Sequence, residues 1–304
     1  MPLALPRTSG EPVINETWTA MRNAPTSFAV LLGMALAGFV LAHTSASGQS
    51  RTPSAERSAA TRSQGDAPPE EVHDLPLVGG GTVRILYATP ASARAAIVML
   101  PGGTGEVGIG DEGDLDHEKN FVVRTRAQWL KRGYAVIIPD ALDGQNMRGE
   151  RSSPEFADLV RDLVRFAHSK VAGPVFLLGT SQGTIAAMNG ASRLSKDQIA
   201  GVVLTESVSR PGRKSRETVF DAAPDRVTVP VLVVANRDSR CRVAPASDAR
   251  RVADAMTHAP EVKVLYMRGG ELRSTDCGSQ SPHGYWGIED DVVDVIATWL
   301  DTHR

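Results

Sequence analysis

The sequence predicts an α/β fold, a mostly parallel central sheet with helices on both faces. Three observations carry the expectation. Short runs that are apolar at every position recur along residues 96–234, and segments of helical length separate them. A strand covered on both faces has no polar side, so it reads as an unbroken apolar run, and such strands alternating with helices build a helix-wrapped parallel sheet. The third observation is local. Gly179-Thr180-Ser181-Gln182-Gly183 stands between one such run, Pro174-Val175-Phe176-Leu177-Leu178, and the small-residue stretch Thr184-Ile185-Ala186-Ala187-Met188. A serine on a sharp strand-to-helix turn needs glycines two residues to either side, where any side chain would strike the neighbouring elements.

Taken in order, residues 82–87 alternate with period two, as a half-exposed early strand does, whereas 96–100 is continuously apolar. Further buried-type strands are expected at 135–138, 175–178, 201–204, 231–234 and 262–266. Helix-like segments lie near 119–131, 155–168, 184–193, 246–257 and 289–302. In the last, Val292, Val293, Ile296, Trp299 and Leu300 recur at helical spacing, so one face should pack on the sheet. Between Leu204 and Val231 there are only about two dozen residues, too few for a separate lid domain. The expected molecule is compact, with an open or loop-walled pocket.

With 304 residues, a formal net charge of −2 and 41% hydrophobic content, the chain supports one sizeable core and carries no basic field that would point to nucleic acid. Its two cysteines, Cys241 and Cys277, exclude a thiolate zinc cluster and leave room for one bridge.

Residues 28–42 form an uncharged stretch shorter than the ~20 residues of a spanning helix. They read as a signal-peptide core, followed by small residues that permit cleavage after Ala46 or Gly48, with no cysteine there for lipid attachment. The preceding charge-balanced segment is atypical, and a start at Met21 would leave a short n-region with one arginine, which makes Met21 the expected start. The organisation read from this is a leader over 1–48, a disordered linker over 49–71 rich in Ser, Arg, Ala, Pro and Gln, and a folded domain over 72–304. The expected location is periplasmic or secreted. The alternative is an anchor through 28–42 with the domain outside, the only membrane contact foreseen.

A serine hydroxyl becomes a nucleophile when a base takes its proton, and the base needs a carboxylate to hold its tautomer. With Ser181 as nucleophile, the chain order on such a sheet is serine, acid, histidine. His258, His283 and His303 follow Ser181; His303 is terminal and His258 ends a helical segment, which leaves His283, in the loop before the last helix, as the base. For the acid, Asp238 after the run 231–234 is preferred, Glu206 after 201–204 is the alternative, and Asp276 is a third. The oxyanion of the intermediate needs two backbone donors. One is expected from Gln182; the other from the glycine-rich Pro101-Gly102-Gly103-Thr104-Gly105, with Gly103 first and Thr104 next.

The acidic stretch Asp111-Glu112-Gly113-Asp114-Leu115-Asp116-His117-Glu118 lacks the spacing of a calcium loop and reads as a solvated segment, walling the pocket against anionic substrates. No metal or cofactor is implied. Cys241 lies three residues after Asp238 and Cys277 six before His283; if those loops converge, a disulfide joins them and fixes the acid and base.

Together, Gly179 to Gly183, the loop 101–105, Asp238 and His283 resemble the α/β-hydrolase superfamily over about residues 72–302. Locally, Asn120-Phe121-Val122-Val123-Arg124-Thr125-Arg126, Gly179-Thr180-Ser181-Gln182-Gly183-Thr184 and Ser281-Pro282-His283-Gly284-Tyr285 resemble an exported bacterial branch of it. The resemblance implies the α/β-hydrolase fold and the triad, and carries no substrate. It departs from lipases and esterases at Pro101, where they often have histidine. The expected activity is a serine hydrolase acting on carboxylic esters through an acyl-enzyme. Peptide or amide cleavage and acyl transfer use the same triad and remain open. A non-catalytic binding protein on the scaffold is the reading from another class.

Overall fold

The computed structural model describes residues 68–304. The leader 1–48 and all but the last four residues of the linker 49–71 lie outside it.

Eight strands form one sheet: β1 (Glu70–Pro76), β2 (Thr82–Ala88), β3 (Ala95–Leu100), β4 (Tyr134–Pro139), β5 (Val175–Thr180), β6 (Gly201–Thr205), β7 (Val231–Asn236) and β8 (Val262–Met267). Their order is β1-β2-β4-β3-β5-β6-β7-β8. β1, β2 and β4 pair antiparallel, and every pairing from β4–β3 to β7–β8 is parallel.

Strand periodicity divides the core between the two faces. Ala96, Val98 and Leu100 of β3 belong to one apolar cluster with α3 (Pro154–Lys170), α4 (Gly183–Ala191) and α5 (Ala249–Asp254). Ala95, Ile97 and Met99 belong to the other, with α1 (Phe121–Arg124), α2 (Arg126–Lys131) and α6 (Glu289–Asp301). The apolar face of α6, from Val292 to Leu300, packs there as its spacing requires.

Four elements differ from expectation, each for a local reason. β1 begins at Glu70, inside the range read as linker, because its half-buried sequence Glu-Glu-Val-His-Asp-Leu-Pro has no apolar run and is held as an edge strand by pairing with β2. β2 is more buried than its alternation implied, since it lies between β1 and β4 and Phe166 covers Tyr87 edge-on at 5.5 Å. β8 is only half-buried, because it closes the sheet with a single neighbour. The helix expected over 119–131 is two, divided at Thr125, whose hydroxyl donates to the Phe121 carbonyl at 2.8 Å.

α3 is delimited by local chemistry. Ser153 accepts from the Phe156 N–H, Pro154 opens the first turn, and His168 and Lys170 lie in the last turn, where the dipole favours positive charge. Between β6 and β7 the chain makes two short 3-10 turns, Val219–Ala222 and Pro224–Arg226, with no inserted domain. Among the described residues no helix is long and apolar enough to cross a membrane.

Candidate active site

The turn from β5 into α4 holds Ser181 at φ 51°, a left-handed conformation that a serine adopts only when its surroundings impose it. Those surroundings are close. A Cβ on Gly179 would fall 2.3 Å from the Gly183 carbonyl oxygen, and one on Gly183 would fall 2.1 Å from that of Leu100. The Ser181 N–H donates to Thr205 O at 2.9 Å, and the Thr184 hydroxyl donates to Ser181 O at 2.6 Å. The serine is thereby presented at the carboxyl edge of the sheet, where ligands bind in open α/β folds.

His283 reaches that serine from a short 3-10 turn, Pro282–Gly284, before α6. Its Nε2 lies 2.9 Å from Ser181 Oγ, and its Nδ1 lies 3.0 Å from Oε2 of Glu206. A carboxylate only accepts, so Nδ1 carries the ring proton and Nε2 is left to accept from the serine hydroxyl. Both partners are withdrawn from water, His283 at 3% exposure and Glu206 at 1%. The turn is fastened from several sides. Ser281 Oγ accepts the His283 N–H, Asn236 Nδ2 donates to Pro282 O at 2.9 Å, and Arg124 donates to Gly284 O while its Nε bonds Glu289 at 2.8 Å.

The carboxylate in contact with His283 is therefore Glu206, where Asp238 was expected. Glu206 follows β6 directly, with φ 52°, and its own N–H donates to Val234 O at 2.9 Å; its second carboxylate oxygen accepts the Asn236 N–H. Asp238 is half-exposed, accepts the Gly269 N–H at 2.7 Å and stands 3.8 Å from Arg268. The reason is register. β7 runs on to Asn236, whose side chain is spent on Gly269 and Pro282, so the next carboxylate falls beyond the sheet edge. Asp276, also exposed, lines with Asp238 a separate surface depression. Tyr285 lies fully buried, donating to Val234 O at 3.0 Å; burial, with the charge of Glu206, holds its hydroxyl well above the ordinary phenol range.

Gly102 lies against the nucleophile, since a Cβ there would be 2.9 Å from Thr180 O and 3.1 Å from Ser181 Cβ. The backbone N–H groups of Gln182 and Gly103, the two expected donors, make no hydrogen bond to protein among the described residues. Gly103 takes φ 65°. Ser181, Gln182 and Gly103 form one end of a cleft of ≈ 300 Å³. Its other walls are the loop 212–215, Arg148, and Thr275 and Cys277 before His283.

Cys241 and Cys277 are bonded, as expected. With Glu206 as the carboxylate beside His283, the bridge does not join acid to base; it ties the loop after β7 to the cleft wall leading to His283. The acidic stretch 111–118 contributes nothing to that cleft. Asp111 bonds Arg84 at 2.8 Å, and Asp140 gathers the N–H groups of Val107, Gly108 and Ile109, which turns the stretch toward β2. Among the described residues no group of three or more His, Cys, Asp or Glu side chains is placed to hold a metal.

Sequence reasoning missed three arginines here. Arg124 braces the histidine turn, Arg148 walls the cleft, and Arg151 is buried behind the glycine loop with Nη2 3.5 Å from Pro101 O. Burial pushes the Arg151 guanidinium down to about 10, and nearby Glu217 opposes that shift. Arg124 follows the apolar run Phe121-Val122-Val123, which was the available signal for it; Arg151 stands among Gly149, Glu150, Ser152 and Ser153, and its burial left no local mark.

A profile of the alpha/beta hydrolase family matches residues 97–300. No curated protein matches the chain. Among solved structures, an esterase from Pyrococcus furiosus superposes with a TM-score of 0.58 at 11% identity, covering 78% of this chain and 91% of its own. A dienelactone hydrolase from Anabaena variabilis gives 0.55 at 12%, covering 78% and 99%. A puromycin-hydrolyzing peptidase from Mycobacterium tuberculosis gives 0.57 at 15%, covering 78% of this chain and 39% of its own. At these identities the likeness concerns the fold.

Proposed function

The chain belongs to the alpha/beta hydrolase family, and on that footing we propose that it is an exported serine hydrolase cleaving carboxylic esters. The single observation that carries the reading is the continuous relay Ser181 Oγ, His283 Nε2, His283 Nδ1, Glu206 Oε2, with steps of 2.9 and 3.0 Å across the ring. The bridge between Cys241 and Cys277 and the apolar stretch 28–42 support export.

In the reaction Ser181 Oγ attacks the ester carbonyl carbon while its proton passes to His283 Nε2. The new imidazolium is stabilised by the Glu206 carboxylate, which keeps its charge. The carbonyl oxygen becomes an oxyanion facing the unengaged N–H groups of Gln182 and Gly103. Collapse breaks the ester C–O bond, the alcohol leaves with the proton from Nε2, and an acyl ester remains on Ser181. Water then attacks that ester, giving one proton to Nε2, and the carboxylic acid departs as Ser181 Oγ recovers a proton. A serine nucleophile forms a hydrolysable acyl ester; haloalkane or epoxide cleavage would instead require an alkyl-enzyme on a carboxylate.

The test is a panel of short acyl esters, peptides and acyl acceptors given to wild type and to Ser181→Ala. Ester turnover by the wild type, abolished in the variant, is the expected result. Turnover confined to peptides or to acyl transfer would move the activity to another class on the same triad. Unchanged ester turnover in Ser181→Ala would sink the proposal.

A further inference from the structure

The cleft beside Ser181 has an unbalanced charge. Arg148, Arg213 and Lys214 line it together with Ser181, Gln182 and Gly103, and no carboxylate does. Arg213 and Lys214 are exposed on the loop facing the serine, and neither makes an ion pair or a side-chain hydrogen bond among the described residues. Arg148 is half-buried; its Nη2 lies 3.8 Å from where a Cβ on Gly103 would stand, next to the expected oxyanion donor. It too has no ion pair among the described residues, although burial pushes its pKa down. The buried Glu217 does not serve it. Glu217 accepts the N–H groups of Gly149 and Ser152 and sits with Arg151. A partly desolvated guanidinium normally finds a carboxylate or phosphate, because an unpaired charge out of water is costly. Here no carboxylate among the described residues pairs with it, and the free donors line the space a substrate would fill.

We propose that the hydrolase acts on esters that carry a carboxylate, which Arg148 binds beside the oxyanion hole with Arg213 and Lys214 supplying the surrounding positive field. The proposal rests on Ser181 as nucleophile. It reverses the expectation that the acidic stretch 111–118 would repel anions, since that stretch faces β2 and the cleft is cationic. The chemistry of the step is unchanged: water cleaves the ester, and the carboxylate that Arg148 holds keeps its bonds and charge. Guanidinium geometry suits two parallel hydrogen bonds to a carboxylate, whereas a lysine would supply a point charge.

The experiment compares paired esters on wild type, Arg148→Met and Arg213→Ala/Lys214→Ala. For a charge on the acyl side the pair is 4-nitrophenyl hemisuccinate and its methyl ester; for one on the leaving group it is 4-acetoxybenzoate and its methyl ester. Wild type should prefer the anionic member of at least one pair. Arg148→Met should lose about 10- to 100-fold more in kcat/KM on that member than on its neutral partner, as expected for a lost charge-assisted contact, so that the preference collapses whatever happens to the common rate. The double variant should lose less and flatten the salt dependence. A second readout does not require turnover: succinate should slow labelling of Ser181 by a neutral fluorophosphonate in wild type and not in Arg148→Met. Equal kcat/KM for charged and neutral members, with turnover intact, would overturn the anion site and leave the hydrolase standing. Absence of both turnover and labelling in wild type would overturn the hydrolase reading and the anion site with it.

Discussion

Replacing Glu206 by glutamine removes one charge and leaves the shape of the site almost unchanged. One carboxylate oxygen of Glu206 accepts the Asn236 N–H and the other accepts His283 Nδ1–H at 3.0 Å. A glutamine has only one acceptor oxygen, and the rigid backbone donor at Asn236 should claim it. Its NH2 group then faces Nδ1, which must accept, so the ring proton moves to Nε2, and that nitrogen can no longer take the proton of Ser181. The imidazolium also loses its buried counter-charge, at a residue only 1% exposed. A wrong tautomer of this kind costs about a thousand- to ten-thousand-fold in kcat, equivalent to about 4 to 5 kcal/mol at the transition state. The control is Asp238→Asn. That half-exposed carboxylate touches Gly269 and Arg268 rather than His283, so its activity should stay within about twofold of wild type. Steady-state hydrolysis of 4-nitrophenyl acetate, with circular dichroism to confirm folding, decides between them. A folded Glu206→Gln enzyme with more than a tenth of wild-type kcat, or an Asp238→Asn enzyme as damaged as Glu206→Gln is expected to be, would refute the assignment.

Three further outcomes follow from the packing. In Gly183→Ala the new methyl group meets the Leu100 carbonyl at 2.1 Å, so the turn must shift; a loss of about 3 kcal/mol in urea unfolding and a slowed acylation are expected. Cys241→Ser with Cys277→Ser removes a cross-link spanning 36 residues, which lowers stability by about 4 kcal/mol on the chain-entropy argument, and reductant should give the same loss in wild type only. The carboxyl of Asp248 is held below its ordinary range, first by the side-chain hydrogen bond from Arg210. A lowered folded pKa means stability that is present above the unfolded value and lost as pH falls through the folded one. Wild type should therefore lose more Tm between about pH 7 and about pH 3 than Asp248→Asn does, and equal losses would discount the pair.

The fold was legible because its central strands are covered on both faces. Ala96 to Leu100 and Val231 to Val234 show that as unbroken apolar runs, and the turn at Ser181 shows it through glycines that admit no Cβ. The meeting of Ser181 and His283 was legible for the same reason, since both positions follow from strand ends and chain order. The acid was not. Glu206 and Asp238 each follow an apolar run, and what separates them is how far β7 extends and which way Asn236 turns, a matter of register that no single segment encodes. The edge strands β1 and β8 escaped or were misread because pairing, not apolar periodicity, holds them. Arg148 was invisible because residues 103, 148 and 213 meet only in three dimensions.

Covalent labelling tests Ser181 as a nucleophile activated by His283 without knowledge of the substrate. Wild type, Ser181→Ala and His283→Ala are treated with a fluorophosphonate, and the adduct is located by peptide mass spectrometry. One adduct is expected, on the peptide containing Ser181, absent in Ser181→Ala and formed at least about a hundredfold more slowly in His283→Ala. An unlabelled wild type, or an adduct that persists elsewhere with ester turnover intact in Ser181→Ala, would contradict that role for Ser181.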